Sequence, residues 1–376
     1  MFEIVYHPDF GERNELGQPK PFFETYETPL RCKLTWEHLK QIGFTPGDFE
    51  ASGIQRNDEK NLAFKRPAAL KKEDILLVHT PYHYEMVEKF SRFGCGQLGN
   101  SVLATEDSLD LALLSAGGAY EAINDVITGG HDQSFALIRP PGHHAMSETP
   151  DGLCIFNNIA VAISKIRKEQ EFSGKLAIID IDAHYGNGLA RIFAHDPNVL
   201  YSSIHEMDFS IGEEGFFTEI GLGAGEGYNI CFPVRYGSGD KMLQQYCTFL
   251  EPFVRDFSPD MIIIAAGFDG HWADPLGNLK YTSHGYQEFT RWVKKISHDV
   301  CSGRVSFCLE GGYNLIMVPR LIETIISEFI GVPKTKFIDD YPQAILNRTT
   351  YSDELFASRH KDKIDALKKK LRKIWG

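Results

Sequence analysis

The chain is punctuated by short runs that are apolar almost throughout and stop at a polar or glycine-rich loop: "FEIVY", "DILLVHT", "SFALIRP", "KLAIIDID", "NVLYSSIH", "DMIIIAAGF" and "RVSFCLEGG". Such a run is short for a helix and too apolar to turn either face to water. It reads as a strand of a parallel sheet covered on both sides. Between the runs lie stretches of helical period, among them "DSLDLALLSAGGAYEAINDVI", "NNIAVAISKIRKEQ" and "SHGYQEFTRWVKKISHDV". The alternation predicts an α/β fold with a mostly parallel sheet between helix layers. The 376 residues contain no repeat, low-complexity tract or linker, so residues 1–376 read as one domain.

Composition narrows the function classes. A net charge of -12 argues against a general nucleic-acid-binding surface. Seven scattered cysteines without a CxxC pair read as reduced thiols, which points to a cytoplasmic location. No apolar stretch reaches membrane-spanning length, so neither a membrane nor a nucleic acid is an expected partner, and a homo-oligomer is left open. Two segments stand apart. Residues 11–31, aromatic and proline-bearing, read as an ordered surface-loop insertion. Residues 360–376 read as a basic amphipathic helix, with Ile364, Leu367, Leu371 and Ile374 on one face.

In open α/β sheets functional groups collect beyond the carboxyl ends of the strands, and four of those loops are unusual here. "DIDAHYGNG" sets Asp180, Asp182 and His184 at alternate positions, on one side of an extended chain. Buried together they would repel or go unsatisfied unless a cation held them. "AAGFDGHWADPLGNL" adds Asp269 at another strand end. Asp182, His184 and Asp269 form a three-donor set suited to Zn²⁺ with one position open, and Fe²⁺, Co²⁺ or Mn²⁺ fit the same donors. "RPPGHHA" carries His143 and His144, for which Asp180 and Asn187 are natural partners. A carboxylate favours an imidazolium and an amide leaves its histidine nearer neutral, so the two could divide acid and base work. "LEGGYN" carries Tyr313, whose hydroxyl could donate to an oxyanion. Singly, each has an ordinary reading: an acid–histidine hydrogen bond, a structural histidine, a buried tyrosine. Four such loops meeting in one pocket would be hard to explain by packing.

Together these motifs, in this order and spacing from about Thr105 to Asn314, resemble the histone deacetylase, acetylpolyamine amidohydrolase and acetoin-utilisation superfamily. Asparagine at 187 looks more like the class II branch. The resemblance implies a three-layer α/β/α sandwich around about eight strands, the arginase/deacetylase fold. It implies a zinc-dependent amidohydrolase, one ion per chain on Asp182, His184 and Asp269, that removes acyl groups, in the first place acetyl, from lysine side chains of a peptide or protein or from related amines. His143, His144, Tyr313, Asp180 and Asn187 match the catalytic positions, with His144 as general base. Gly152, Leu153, Phe217, Leu276 and Gly311 match substrate-binding positions, Leu153 standing where relatives commonly have phenylalanine. Asp180, Asp182, His184, Ser203 and Ile204 resemble a first structural K⁺ site, and Phe193, Asp196, Val199 and Tyr228 a second.

Three alternatives follow from the same residues. A small acylated amine, such as an acetylpolyamine, could be the substrate. Leu276 lacks the charge of a polyamine gatekeeper, but Ser101 and "YETPLR" depart from the family pattern used to grip a peptide. A catalytically silent acyl-ligand-binding protein would keep the pocket without turnover. A binuclear ureohydrolase shares Asp-Ala-His, yet Gly186 and His271 stand where its further carboxylates belong.

Overall fold

The computed structural model describes residues 1–13, 26–46, 55–207, 215–336, 339 and 343–375, with side chains omitted at 343–352, 355–357 and 359. The strands in chain order are β1 (Phe2–Tyr6), β2 (Gln55–Asn57), β3 (Leu62–Lys65), β4 (Cys95–Gly99), β5 (Val102–Thr105), β6 (Gln133–Leu137), β7 (Leu176–Asp180), β8 (Val199–Glu206), β9 (Asn229–Val234), β10 (Met261–Ala266) and β11 (Val305–Leu309). The helices are α1 (Asp9–Glu12), α2 (Leu30–Gln41), α3 (Lys72–Ile75), α4 (Pro81–Phe93), α5 (Ser108–Ile127), α6 (Asn158–Gln170), α7 (Asn187–Ile192), α8 (Asp240–Phe257), α9 (Ser283–Cys301), α10 (Met317–Ile330) and α11 (Gln343–Trp375).

Nine strands form one sheet in the order β2-β3-β1-β6-β11-β10-β7-β8-β9, all neighbours parallel except β2 against β3; β4 and β5 make a separate hairpin. Every residue of β7, β10 and β11 is buried, as strands covered on both faces require. Each buried isoleucine of "MIIIAA" contributes about 1.5–3 kcal/mol by leaving water. α5 packs on α6, while α8, α9, α10 and α2 pack in succession, so the sheet lies between two helix layers.

The strand order explains why distant motifs meet. After β7 the chain runs outward through β8 and β9, then returns through β10 and β11 to fill the gap beside β6. β6, β11, β10 and β7 become four consecutive strands, and the loops leaving them are the four singled out above. This reversal is the topological switch point at which open α/β sheets bind ligands.

The nine-stranded sheet agrees with the expected mostly parallel sheet of about eight; "LAFK", "QRN" and the proline-containing "NICFPV" also pair in it. Other expectations need correction. "DILLVHT" is not a strand: α3 ends within it at Ile75 and the rest is turn, with Val78 and His79 bonded back to Ile75. Of the expected loop 11–31, residues 14–25 lie outside the described residues, while its ends are helical and Glu27 and Arg31 are buried. The C-terminal helix begins at Gln343, well before 360. It buries Leu367 and Leu371, but Ile374 is exposed and Trp375 packs instead, against Tyr228, Phe253 and Phe257.

Candidate active site

At the carboxyl edge of the four central strands lies a cavity of about 510 Å³, within the usual range for a small-molecule site. His143, His144, Asp182, His184, Asn187 and Tyr313 line it, together with Gly152, Leu153 and Leu276. One donor atom from each of Asp182, His184 and Asp269 lies within 4.8 Å of the other two. His184 Nδ1 is 2.9 Å from Asp269 Oδ2 and 3.2 Å from Asp182 Oδ1.

Backbone donors from two loops fix the two carboxylates. Ala183 N–H donates to Asp269 Oδ1 at 2.7 Å, and Gly311 N–H donates to Asp182 Oδ2 at 2.8 Å. Gly311 works from behind the site and does not line the cavity. A Cβ there would stand 2.4 Å from Asp269 Oδ2 and 2.5 Å from Asp182 Oδ2, so the loop must be glycine. Burial works against protonation of His184, but Asp182 and Asp269 overcome it and drive its pKa well up. Burial, then Asp182, pushes Asp269 to about 7. Two buried acids that hold a proton on an imidazole between them form a donor set whose proton a divalent cation would displace. The residues fit such an ion.

The adjacent histidines are held differently. His143 Nδ1 donates to Asp180 Oδ2 at 3.2 Å, and that oxygen also accepts the Tyr201 hydroxyl at 3.0 Å. His144 Nδ1 donates to Asn187 Oδ1 at 2.9 Å, which leaves Nε2 with its lone pair. Burial disfavours an imidazolium at both. At His143 the carboxylates of Asp182 and Asp180 outweigh it and raise the pKa to about 10. At His144 burial is reinforced by the neighbouring His143 and His184 charges, and the pKa falls well below the usual value. The rings are 4.0 Å apart between centroids, yet they sit in opposite charge states near neutrality.

Gly152 backs onto this pair. Its φ is +50°, and a Cβ would meet the His144 ring at 2.4 Å. Leu153 follows at φ +67° on the cavity wall. Phe217 is not on the wall: it is buried against Phe232 and beside His360, while Tyr185 and Met207 line the cavity. Asp180 and Ser203 are partners on adjacent strands, with Ile204 next in β8; Ser203 Oγ bonds His205 Nδ1 at 2.8 Å. The carbonyls of Phe193, Asp196 and Tyr228 accept N–H groups from Asp196, Val199 and Tyr201 respectively. The Asp196 carboxylate is taken by Arg167 at 2.5 Å.

Comparison with known proteins bears on this geometry. The histone deacetylase domain pattern matches residues 25–329. A probable deacetylase of Archaeoglobus fulgidus is 35% identical over 295 residues, covering 78% of this chain and 80% of the relative. The chain belongs to the histone deacetylase family. Histone deacetylase HDA1 of Candida albicans is 35% identical over 355 residues, 90% of this chain but only 41% of that protein. A histone deacetylase-like amidohydrolase of Pseudomonas aeruginosa is 34% identical over 262 residues, 69% of this chain and 68% of the relative. The solved HDA15 HD domain superposes with a TM-score of 0.74 at 28% identity, covering 99% of this chain and 98% of that one. Like its family, the chain is a deacetylase-type hydrolase, and the α/β architecture agrees with the solved relative.

Four supporting residues are absent from the sequence reading. Glu310 Oε2 accepts Gly142 N–H at 2.7 Å and His143 N–H at 3.0 Å, holding the histidine loop; burial lifts its pKa to about 7. Asp274 Oδ2 accepts Tyr313 N–H at 2.7 Å and Asn314 N–H at 3.0 Å. Arg31 bonds the carbonyls of Gly312 and Glu310 and places its guanidinium 4.7 Å from the Tyr313 ring centroid. Glu27 grips Arg139 through two bonds of 2.8 and 2.7 Å. Glu310 was visible as an acid closing the apolar run "VSFCL", the same signal that marked Asp180.

Proposed function

We propose that the chain is a zinc-dependent deacylase acting on acyl-lysine side chains or related acyl amines. The observation that supports it most is the convergence of Asp182, His184 and Asp269 beside two histidines that their partners tune apart. Asp182, His184 and Asp269 would hold the ion, which supplies a Lewis acid for the carbonyl and makes water more acidic. His144, neutral with Nε2 free, takes the proton of the attacking water. Asn187 keeps that tautomer in place. Tyr313, anchored by Asp274 and Arg31, donates its hydroxyl to the carbonyl oxygen as negative charge develops. His143, kept cationic by Asp182 and Asp180, is the proton source for the departing amine. The Gly152 carbonyl is suited to accept the scissile N–H, and Leu153 and Leu276 give the acyl-amine stem an aliphatic wall. The products are a carboxylate and a free amine.

Structural potassium belongs to the same reading, with Asp180, Asp182, His184, Ser203 and Ile204 at a first site. A second would rest on the carbonyls around Phe193, Asp196, Val199 and Tyr228, since Arg167 already neutralises Asp196. A cytoplasmic location fits the cysteines, all seven of which are free and six buried. Among the described residues no helix is long and apolar enough to cross a membrane.

The test is a substrate panel of acetyl-, butyryl- and longer acyl-lysine peptides with N-acetylated amines, assayed before and after chelation and zinc add-back. Turnover that disappears with chelator and returns with zinc is expected. Turnover indifferent to chelator, or binding of acylated compounds with no turnover in the zinc-loaded chain, contradicts the reading.

A further inference from the structure

The loop that presents Asp269 joins β10 to α9, and its two legs are bonded to each other. Trp272 N–H donates to the Tyr281 carbonyl at 2.9 Å, and Tyr281 N–H donates to the Gly270 carbonyl at 3.0 Å. His271, close behind Asp269 in the chain, is fully buried, and its Nδ1 accepts Ala273 N–H at 3.2 Å. A ring whose Nδ1 accepts carries its proton on Nε2. That proton points out of the loop, to a residue beyond the 25–329 span of the family pattern.

The residue is Asp339. Its Oδ2 lies 3.2 Å from His271 Nε2 and accepts Ser283 N–H at 2.8 Å, while its Oδ1 accepts Trp272 Nε1–H at 2.5 Å. Ser283 opens α9, where Thr282 as N-cap accepts from His284 and Gly285 N–H and leaves the Ser283 N–H to Asp339. A carboxylate also suits the positive end of a helix. One side chain thus closes both ends of the Asp269 loop. The connection continues to Tyr313. Asp274 N–H donates to the His271 carbonyl at 2.9 Å, and Asp274 Oδ2 accepts the N–H groups of Tyr313 and Asn314. Asn314 Nδ2 returns a bond of 2.7 Å to the Ala273 carbonyl.

We propose that Asp339 is a positioning residue for the metal centre: it fixes the loop that presents Asp269 and, through Asp274, the backbone of Tyr313. This rests on the amidohydrolase reading of the site. Asp339 does not line the cavity, so it acts through His271 and Trp272. Both of its oxygens are used. An amide in its place would keep one acceptor and turn its NH₂ toward a donor, and alanine would deprive the His271, Trp272 and Ser283 N–H groups of this acceptor altogether. The Asp269 carboxylate then loses the register in which Ala183 N–H and His184 meet it. Contacts that orient a ligand from behind typically change metal affinity or activity by about 10–100-fold.

The experiment titrates the metal-free full chain with Co²⁺, read by its visible absorption, and then with competing Zn²⁺. Wild type is compared with Asp339→Ala, Asp339→Asn, Trp272→Phe and Leu371→Ala, the last a buried core position in α11 that controls for lost stability alone. Asp339→Ala should bind zinc about tenfold or more weakly and change the cobalt spectrum, and at saturating zinc its kcat should fall about tenfold with KM within a few-fold. Asp339→Asn should fall between it and wild type, and Leu371→Ala should match wild type in metal affinity and spectrum. The losses in Asp339→Ala and Trp272→Phe should not add in the double variant, because both remove the same bond. If the Asp339 variants fail to fold, Trp272→Phe carries the test with a smaller loss. Metal affinity, spectrum and kcat unchanged in the folded variants, or changed equally in Leu371→Ala, overturns the positioning role. The layers separate at Asp269→Ala: if it binds cobalt as wild type does, the amidohydrolase reading falls and takes this proposal with it. If it alone loses metal and turnover while the Asp339 and Trp272 variants keep both, only the proposal falls.

Discussion

Two buried histidine pairs lie close together in this molecule and do opposite things. His79 and His83 have ring centroids 4.6 Å apart, and His143 and His144 are 4.0 Å apart. The first pair is satisfied by backbone alone. His79 Nδ1 donates to the Met146 carbonyl at 3.0 Å and its Nε2 accepts Asn157 N–H at 2.9 Å; His83 Nε2 donates to the Ile155 carbonyl at 2.9 Å. Nothing there stabilises an imidazolium strongly enough to offset burial, so His79 falls to about 3 and His83 is also lowered. The second pair is split by neighbouring charge: Asp182 and then Asp180 raise His143, while burial and the His143 and His184 charges lower His144, leaving one cation and one neutral base. Burial is common to all four rings. The surrounding charge decides whether a buried histidine braces a loop or holds a movable proton.

The widest separation between the pairs should appear in kinetics. Replacing His144 by alanine is expected to lower kcat by about 10³-fold, within the range for loss of a general base. His79→Ala should leave kcat of the folded protein within a few-fold and instead lower stability by about 1–3 kcal/mol through orphaned buried groups. Steady-state rates beside urea melts of both variants test this. A His79 variant with the larger kcat loss would erase the distinction. Tyr313→Phe should follow, at about 10²-fold in kcat with folding intact, as for one oxyanion donor.

A smaller effect sharpens the electrostatics. Asp180→Asn removes one of the carboxylates that hold His143 near 10, so the alkaline fall of the pH–rate profile should move to lower pH. A profile that stays put would mean Asp180 does not set that proton.

A further difference is in stability against pH, where the pairs should differ in sign for the metal-free chain. His79 folds with its pKa depressed to about 3, so below about 6.5 the unfolded chain takes up a proton the folded one refuses, and stability falls as pH drops. His143 folds with its pKa raised to about 10; its contribution is complete below about 6.5 and is lost as pH rises toward 10. Urea midpoints across this range, in wild type and in His79→Asn, read both limbs.

Much of this was legible because the chemistry sits at strand ends, where an all-apolar run makes the first charged residue conspicuous. Asp180, Asp182, His184 and Asp269 stand out for that reason, as do the histidine and tyrosine loops. What held those loops was not legible. Arg31 reaches Gly312 across 281 positions and Glu310 reaches His143 across 167, and local pattern carries no trace of such pairings. "DILLVHT" misled because an apolar run of that length fits a strand as well as a short helix and turn. Phe217 was placed by motif alone, and the side chain turns inward to Phe232 rather than to the cavity.

The whole account turns on three donors from two neighbouring strands holding a single divalent cation. Elemental analysis of the purified chain and of Asp269→Ala, with deacylation measured on the same samples, tests it most directly. One zinc per wild-type chain, and loss of both metal and turnover in the variant, is the predicted result. A variant that keeps its activity without bound zinc, or a wild type that binds two divalent ions per chain, would contradict it.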